Sequence, residues 1–358
     1  MGILWAIVLF SVLIFVHELG HFLSAKAFGV QVNEFALFMG PALFKKQVGD
    51  TTYSLRCIPI GGFCSMEGED EDTDNPASFQ KASWWKRLII LVAGAFMNLV
   101  IGFVLLAIVT APAEKIIVPE ISYVEVNSSL AEENGIQVGD EILKLDGDRV
   151  YLASDFSTLL ALNPGDRHDV LVRREGQKVL LENVLFEARI FEKDYNDPTI
   201  AEVVPRYGIT FTETDATFGT KLRYAWLDTI NSVRTVRISL QMLLTGRASL
   251  NDVSGPVGIG AIISDVVKDA PEKSDAFYRV LWLGGFISVN LAVMNMLPIP
   301  ALDGGRCVGL LLTTTVEKII RRKINPKVEA YIHGAGMIIL LAFMALVMFK
   351  DIFKLFKG

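Results

Sequence analysis

The residues with the clearest chemical potential are His17, Glu18 and His21, which form the pattern His-Glu-Leu-Gly-His near the start of the chain. On a helix, histidines four residues apart lie on one face, and this spacing suits two ligands of one tetrahedral zinc ion. Glu18 directly follows the first histidine, where a carboxylate can act as general base toward a metal-activated water. The pattern therefore predicts a hydrolytic metal centre.

The surroundings of this motif are apolar. Residues 3–16 carry no charge, and apolar residues resume after His21, so that 3–28 is long enough to cross a membrane as a helix. Each ionisable group in a membrane helix costs about 2.5–3.5 kcal/mol on insertion scales, so three together require a reason. A histidine pair that only packs against another helix is the alternative. The apolar setting favours a protease that works within the membrane.

The composition is typical of a membrane protein and gives no reason to expect a nucleic-acid partner. The 358 residues are 51% hydrophobic, with a mean hydropathy of +0.41 and a net charge of −6. Three cysteines cannot all pair, and we expect reduced thiols. The first apolar run has no positively charged start, so we interpret it as a retained span rather than a signal peptide.

Three further apolar stretches have the length of a membrane span: 88–112, about 277–297 and about 332–349. Lysine and arginine concentrate in the segments that join spans one and two and spans three and four. The positive-inside rule places both segments in the cytoplasm and both termini outside. The predicted fold class is a polytopic α-helical membrane protein with four transmembrane helices.

The first cytoplasmic segment contains a predicted β-hairpin. Residues 51–60 have the composition of a strand, and Gly61 and Gly62 predict a turn. An exposed strand edge beside a protease site can bind an extended peptide, whereas a hairpin that only caps the fold is the alternative. The acidic run in 67–75 is interpreted as a solvated loop.

The segment of about 165 residues between spans two and three should lie outside the cytoplasm. Within it, 129–147 resembles the core of a bacterial PDZ domain, a mixed α/β module, with a short helix, Gly-Ile-x-x-Gly-Asp, a strand and Asp-Gly. Such a domain could bind peptides on an open strand edge or only shield the site sterically.

Helical spacing of apolar residues in 221–244, with basic residues on other faces, predicts an amphipathic helix on the membrane surface. A helix packed on the soluble domain is the alternative. The glycines and proline in 254–258 should interrupt any helix. We predict four segments: 1–112 as the first membrane half, 113–218 as the PDZ region with an extension, 219–276 as the amphipathic helix and connector, and 277–358 as the second membrane half.

A catalytic zinc normally has three protein ligands, so a third ligand is needed in addition to the two histidines. Asp303 is the best candidate, because it follows a span that two prolines interrupt, and irregular backbone at membrane depth needs protein or a water cavity around it. Cys307 is a credible rival, since thiolate binds zinc well. His168 and His333 have no ligand-like neighbour in the sequence. Asn295 could bind a substrate carbonyl or oxyanion, or simply another helix.

Together these motifs resemble the site-2 proteases, and within them the bacterial regulator-of-sigma-E type. The resemblance rests on His-Glu-x-x-His in the first span, Asn-x-x-Pro-x-Pro-x-Leu-Asp-Gly after the third, the PDZ pattern and the Gly-Gly-Phe hairpin. Residues 93–98 also resemble the family's Ala-Gly-Pro-x-x-Asn, with Ala95 in place of proline. The resemblance implies Zn²⁺ as cofactor, Glu18 as catalytic base, Asn295 as a substrate-binding residue, and His17, His21 and Asp303 as metal ligands.

The resemblance also implies an intramembrane zinc endopeptidase of a bacterial cytoplasmic membrane, with its active site near the cytoplasmic side. It implies that the strand before Gly61 pairs with the substrate. Substrates would be single-span membrane proteins already shortened outside, such as an anti-sigma factor, or remnant signal peptides. A non-catalytic PDZ membrane scaffold is the alternative, although the intact Glu18 argues against it. A metal transporter is weaker, because the sequence has no internal repeat.

Overall fold

The computed structural model describes residues 2–69, 73–126, 128–130, 135–162, 165–188, 207–249, 253–320 and 326–357. The chain divides into two units, one formed by 1–109 and 232–358 and the other by 110–231. In chain order the described helices are α1 (Gly2–Ala27), α2 (Trp84–Thr110), α3 (Ala153–Leu162), α4 (Phe218–Leu244), α5 (Pro256–Lys268), α6 (Lys273–Asn295), α7 (Asp303–Ile320) and α8 (Pro326–Lys357). The strands are β1 (Val32–Val48), β2 (Thr51–Met66), β3 (Lys115–Val124), β4 (Glu141–Leu145), β5 (Asp148–Arg149), β6 (Arg167–Arg174), β7 (Gln177–Leu185) and β8 (Ile209–Asp215).

Four of the described helices are long and apolar enough to cross a membrane: Leu4–Ala27, Trp84–Thr110, Lys273–Asn295 and Tyr331–Lys354. Their mean hydropathies are 2.0, 2.7, 1.4 and 2.3. They coincide with the four apolar stretches, so the prediction of four spanning helices is confirmed at the level of length and composition. The second begins at Trp84, so the aromatic and basic residues before 88 belong to the helix itself.

The core of the first unit lies at both ends of α1. Near the start of α1, Ala6 packs with Ile263 of α5 and Val280 of α6. Near its end, Ala25 belongs to a larger buried cluster with residues of β1, α2 and α7, among them Ile90 and Leu310. The α1 helix is therefore packed at both ends, and the histidines lie in its second half.

The sheet formed by β1 and β2 differs from the predicted hairpin. β2 pairs with β1, a strand that was not predicted, and its segments 52–55 and 62–65 flank 34–37 in opposite directions. The chain reverses between these segments near Gly61, whose φ is +81°. The sheet packs on α1, because the ring of Phe35 lies 5.8 Å from that of Phe15 and 5.0 Å from that of Phe22. The predicted turn at Gly61 and Gly62 is therefore confirmed, although the segments before and after it pair with the start of β1 and not with each other.

The pairing also decides which strand edge is free. Residues 52–55 pair with 34–37 on one side and with 44–47 on the other. The prediction that the strand before Gly61 offers an open edge is therefore wrong for 52–55, because both of its edges are occupied. Residues 62–66 pair only with the start of β1 among the described residues. Among the described residues, the last part of β2 is thus an open edge, and so is 44–48, which pairs only with 51–55.

The second unit is built on a six-stranded sheet in the order β7-β6-β4-β3-β8, with β5 paired to β4. Phe156 of α3 is buried against the rings of Phe186 and Phe211. Asp140, from the predicted Gly-Asp pair, is fully buried and accepts hydrogen bonds of 2.8 Å from Arg174. Residues 131–134 of the predicted short helix lie outside the described residues. The identification of this unit as a PDZ domain stays a prediction.

The amphipathic helix forms as predicted, and the face that it buries within the protein consists of small side chains. The buried residues of α4 are Ala225, Thr229, Ser232 and Val236, which recur at helical spacing. Leu222 and Trp226, from the large apolar face, are 44% and 50% exposed. The large apolar side chains are therefore exposed in the structure, where a membrane surface could cover them. Its location on a membrane surface stays a prediction.

Residues 254–258 begin a helix rather than interrupt one, so that expectation is wrong. Proline is tolerated in a first helical turn because its missing N–H needs no intrahelical partner there, and α5 begins at Pro256. The free N–H groups of Gly255 and Gly258 donate to Oδ2 of the buried Asp351 of α8, at 2.8 and 2.9 Å. The last helix thus supplies the N-terminal cap that α5 lacks locally.

Candidate metal centre

The two histidines of α1 face each other across one helical turn. Their Nε2 atoms lie 3.2 Å apart, and His21 is only 7% exposed. The Nδ1 atom of His21 lies 2.8 Å from the carbonyl oxygen of Ile90 on α2. A carbonyl can only accept, so Nδ1 of His21 carries the proton and Nε2 offers a lone pair.

Asp303 reaches the same point from the other end of the chain. It is the first residue of α7, and its Oδ2 atom lies 3.2 Å from Nε2 of His17 and 3.4 Å from Nε2 of His21. The next two residues permit this placement. A Cβ on Gly304 would lie 2.3 Å from the carbonyl carbon of Met296, and one on Gly305 would lie 2.2 Å from the carbonyl oxygen of Ile299. Only glycine lets the loop fold so tightly onto α7.

These three donor atoms fit a zinc ion. Their mutual distances of 3.2, 3.2 and 3.4 Å form a nearly equilateral triangle. In a tetrahedral site with zinc–ligand distances of about 2.0–2.1 Å, neighbouring ligand atoms lie about 3.3 Å apart. Oδ2 of Asp303 is also buried and accepts no hydrogen bond from the described residues. A buried carboxylate oxygen without a donor is costly unless a cation completes it.

A cavity of about 300 Å³ opens beside the triangle. Its walls include His17, Asp303, Glu18 and Asn295. The Glu18 side chain lies beside β2, because a Cβ on Gly62 would lie 3.5 Å from its Cγ. Glu18 therefore lies between the histidines and the open edge of β2, where a peptide and a water molecule could both reach it.

Two asparagine amides approach the ring of His17. Nδ2 of Asn98 on α2 lies 3.3 Å from Nδ1 of His17. Nδ2 of Asn295, at the end of α6, lies 3.5 Å from both Nδ1 and Nε2. His17, Glu18, Asn295 and Asp303 thus line one cavity together with Asn98, and His21 adjoins it through the triangle of donor atoms.

The loop before Asp303 contains a strained residue and is contacted by α8. Ala301 has a φ of +83°, a conformation that L-residues with a side chain rarely adopt. Its backbone N–H donates to Nδ1 of His333 on α8, at 3.2 Å. A Cβ on Gly336, one turn further along α8, would lie 2.4 Å from Cβ of Pro300. His333, which sequence reasoning set aside, therefore contacts the loop that carries Asp303.

Gly94 lets α2 pass beside the histidines. A Cβ at this position would lie 2.3 Å from Nε2 of His21 and 2.7 Å from Cε1 of His17. Any side chain here would occupy the space that the metal needs. The sequence did carry a signal for this position, because Gly94 and Asn98 both belong to the motif in 93–98. The sequence carried no such signal for the Ile90 carbonyl, because every residue has a backbone carbonyl.

Cys307, the rival ligand, lies elsewhere. It is 5% exposed and packs in the apolar cluster with Ala25 and Leu310. Burial, with a smaller contribution from the charge of Asp303, raises the pKa of its thiol to about 11. The group of three possible metal-binding side chains found among the described residues is His17, His21 and Asp303, without Cys307.

Two histidines and a carboxylate that converge beside a glutamate, in a chain with four helices able to span a membrane, define the class of membrane-embedded metallopeptidases. The chain belongs to peptidase family M50, whose sequence model matches residues 5–343. This finding confirms the predicted site-2 protease family. The narrower prediction of a regulator-of-sigma-E type stays a prediction.

Relatives cover the whole length of the chain. A protein of Clostridium perfringens described as a candidate zinc metalloprotease is 36% identical, with 98% of both chains covered. A similarly described protein of Fusobacterium nucleatum is 33% identical over the full length of both. The regulator of sigma-W protease RasP of Bacillus subtilis is 27% identical, again with 98% of each chain covered.

Proposed function

We propose that this chain is an intramembrane zinc endopeptidase that cleaves single-span membrane proteins. Membership of family M50 and relatives described as zinc metalloproteases support the enzyme class and the metal. The observation that carries the proposal is the near-equilateral triangle of donor atoms from His17, His21 and Asp303, of which both histidines lie on a helix able to span a membrane.

His17, His21 and Asp303 would hold the zinc ion. When bound, zinc acts as a Lewis acid that activates a water molecule and polarises a carbonyl. The two imidazoles contribute neutral nitrogen donors, and Asp303 contributes one negative charge, which partly offsets the charge of the ion in an apolar setting. The Ile90 carbonyl orients the ring of His21, as partners of metal-binding histidines generally do.

Glu18 acts as the general base and acid. It borders the cavity next to His17, so its carboxylate can take a proton from water and later give it to the leaving amine. Asn295, on the same wall, donates its amide N–H to the carbonyl oxygen of the scissile bond as negative charge develops there.

The open edge of β2 holds the substrate. A transmembrane helix hides its peptide bonds in internal hydrogen bonds and must unwind before it can be cut. Residues 62–66 have one unpaired edge among the described residues and adjoin Glu18. An unwound substrate that adds a strand here regains backbone hydrogen bonds and is positioned at the cavity.

The distribution of basic residues bears on the membrane topology, and the name of one relative bears on the class of substrate. Basic residues between paired spans place the metal centre near the cytoplasmic side, with both termini and the second unit outside. We assign a PDZ role to the second unit, which would exclude bulky extracytoplasmic domains or bind their ends. Because one relative is named a regulator of sigma-W protease, a membrane-bound anti-sigma factor is the favoured class of substrate.

Glu18→Gln tests this proposal. The variant keeps size and hydrogen bonding but removes the base, so purified protein should retain zinc and lose about 10²–10⁴-fold in cleavage of a single-span reporter. Glu114→Gln, at an exposed position in the second unit, is the matched control and should cleave normally. Cleavage by the Glu18 variant at the normal rate would contradict the assigned role, and a scaffold function predicts no zinc-dependent cleavage by any variant.

A further inference from the structure

Asn98 is the polar residue of the site that the proposed chemistry does not use. It lies on α2 and is only 1% exposed. Its amide nitrogen lies 3.3 Å from Nδ1 of His17, and its amide oxygen, although buried, has no hydrogen-bond partner among the described residues. Ser288 of α6, which is fully buried, donates to the Asn98 backbone oxygen at 2.7 Å and fixes this stretch of α2.

A histidine that binds a metal through Nε2 must carry its proton on Nδ1, and that proton needs an acceptor. For His21 the acceptor is the Ile90 carbonyl, at 2.8 Å. For His17 the nearest group to Nδ1 is the amide of Asn98. The oxygen and nitrogen of an asparagine amide exchange places by a half-turn, and hydrogen-bond partners decide which end faces a neighbour.

Asn295 does not fill this role. Its amide nitrogen lies 3.5 Å from both nitrogens of the His17 ring, and an atom equidistant from the two cannot lie along the direction of either lone pair. Asn98 is closer to Nδ1 alone. The two asparagines therefore have different relations to the same ring.

We propose that Asn98 is a positioning residue of the metal centre, whose amide oxygen accepts the Nδ1 proton of His17 and so directs the lone pair of Nε2 to the zinc ion. The proposal rests on the proposed function, because it requires His17 to be a ligand. It explains why a polar side chain is buried in a membrane helix, where an amide without a partner is costly.

The test compares Asn98→Leu with Asn98→Asp. Leucine has a similar size but accepts no hydrogen bond, whereas aspartate only accepts. Loss of such a partner lowers metal affinity by about 10–100-fold in comparable sites, so we expect this loss for leucine and near-normal affinity for aspartate. Zinc affinity is measured by chelator competition on purified full-length chain that carries Glu18→Gln, so that the readout is independent of catalysis.

Asn295→Leu is the matched control, since it removes the other amide near the same ring, and it should leave zinc affinity within about threefold of the parent because Asn295 does not hold the Nδ1 proton. Normal zinc affinity of Asn98→Leu would overturn the proposal, and so would equal losses for leucine and aspartate, because these would point to packing rather than to an acceptor. If the Glu18→Gln parent itself bound no zinc, the metal centre would fail as a whole, which distinguishes the two proposals.

Discussion

At the scale of residues, Asp303 is the member of the candidate site that comes from a distant part of the chain. The histidines share one helix turn, but Asp303 joins them from the start of α7, after a loop with a strained Ala301. Its buried Oδ2 atom has no hydrogen-bond donor among the described residues and completes the triangle of donor atoms. Cys307, one turn further along α7, faces apolar side chains instead.

Asp303→Asn should therefore lower the zinc content of the purified chain well below one ion per molecule, because a neutral amide is a much weaker zinc ligand than a carboxylate. Cys307→Ala, the matched control on the same helix, should keep close to one ion. Elemental analysis of both proteins measures this. Zinc retained by the asparagine variant and lost by the alanine variant would assign the ligand role to Cys307.

The donor side chains could be predicted from the sequence, but the groups that hold them could not. Helical periodicity brings His17 and His21 together, and zinc chemistry asks for a third ligand, which restricts the choice to a few residues. The contacts of His333 with Ala301 and of Asn98 with His17 cross between helices. Such contacts depend on how the helices rotate and pack, and local sequence pattern does not determine this.

At the scale of elements, the close passage of α2 beside α1 makes room for the metal. A Cβ on Gly20 would lie 2.4 Å from the backbone oxygen of Ala93, and one on Gly94 would lie 2.3 Å from Nε2 of His21. The two glycines let the helix backbones approach more closely than side chains would allow. The approach also places Ile90 and Asn98, one on either side of Gly94, against the two histidines.

Gly94→Ala should thus remove zinc and lower cleavage by about 100-fold or more, because the methyl group takes the position of the ion or pushes the histidines out of line. Gly334→Ala, in α8 with no atom within 4 Å of the added Cβ, is the matched control and should be neutral. Zinc content and cleavage rate are measured together. A Gly94→Ala protein with a full zinc complement would contradict the packing described here.

Strand pairing shows where prediction from sequence stops. The strand character of 51–60 was recognised, but β1 was not, because its glycine-proline pair and adjacent lysines obscure the usual alternation. The first half of β1 pairs with 52–55 on one side and with 62–65 on the other. An open edge therefore lies at 62–66 and not at 52–55. Edges are a property of the assembled sheet, so only the structure reveals them.

At the scale of the whole molecule, four apolar helices and membership of family M50 identify a membrane-embedded metalloprotease. The spans were predictable because apolar length is a local property. The candidate metal centre belongs to the first unit, since its proposed ligands, Glu18 and both asparagines lie in 1–109 or 232–358.

We propose that this chain cleaves peptide bonds within the membrane at a zinc site. The decisive measurement is cleavage of a single-span protein by the full-length chain in liposomes, with the cleaved bond mapped by mass spectrometry before and after zinc removal. We expect a cut inside the apolar segment of the substrate, which stops when zinc is removed and resumes when zinc is restored. A cut in a soluble flank, or cleavage that continues without zinc, would contradict the claim.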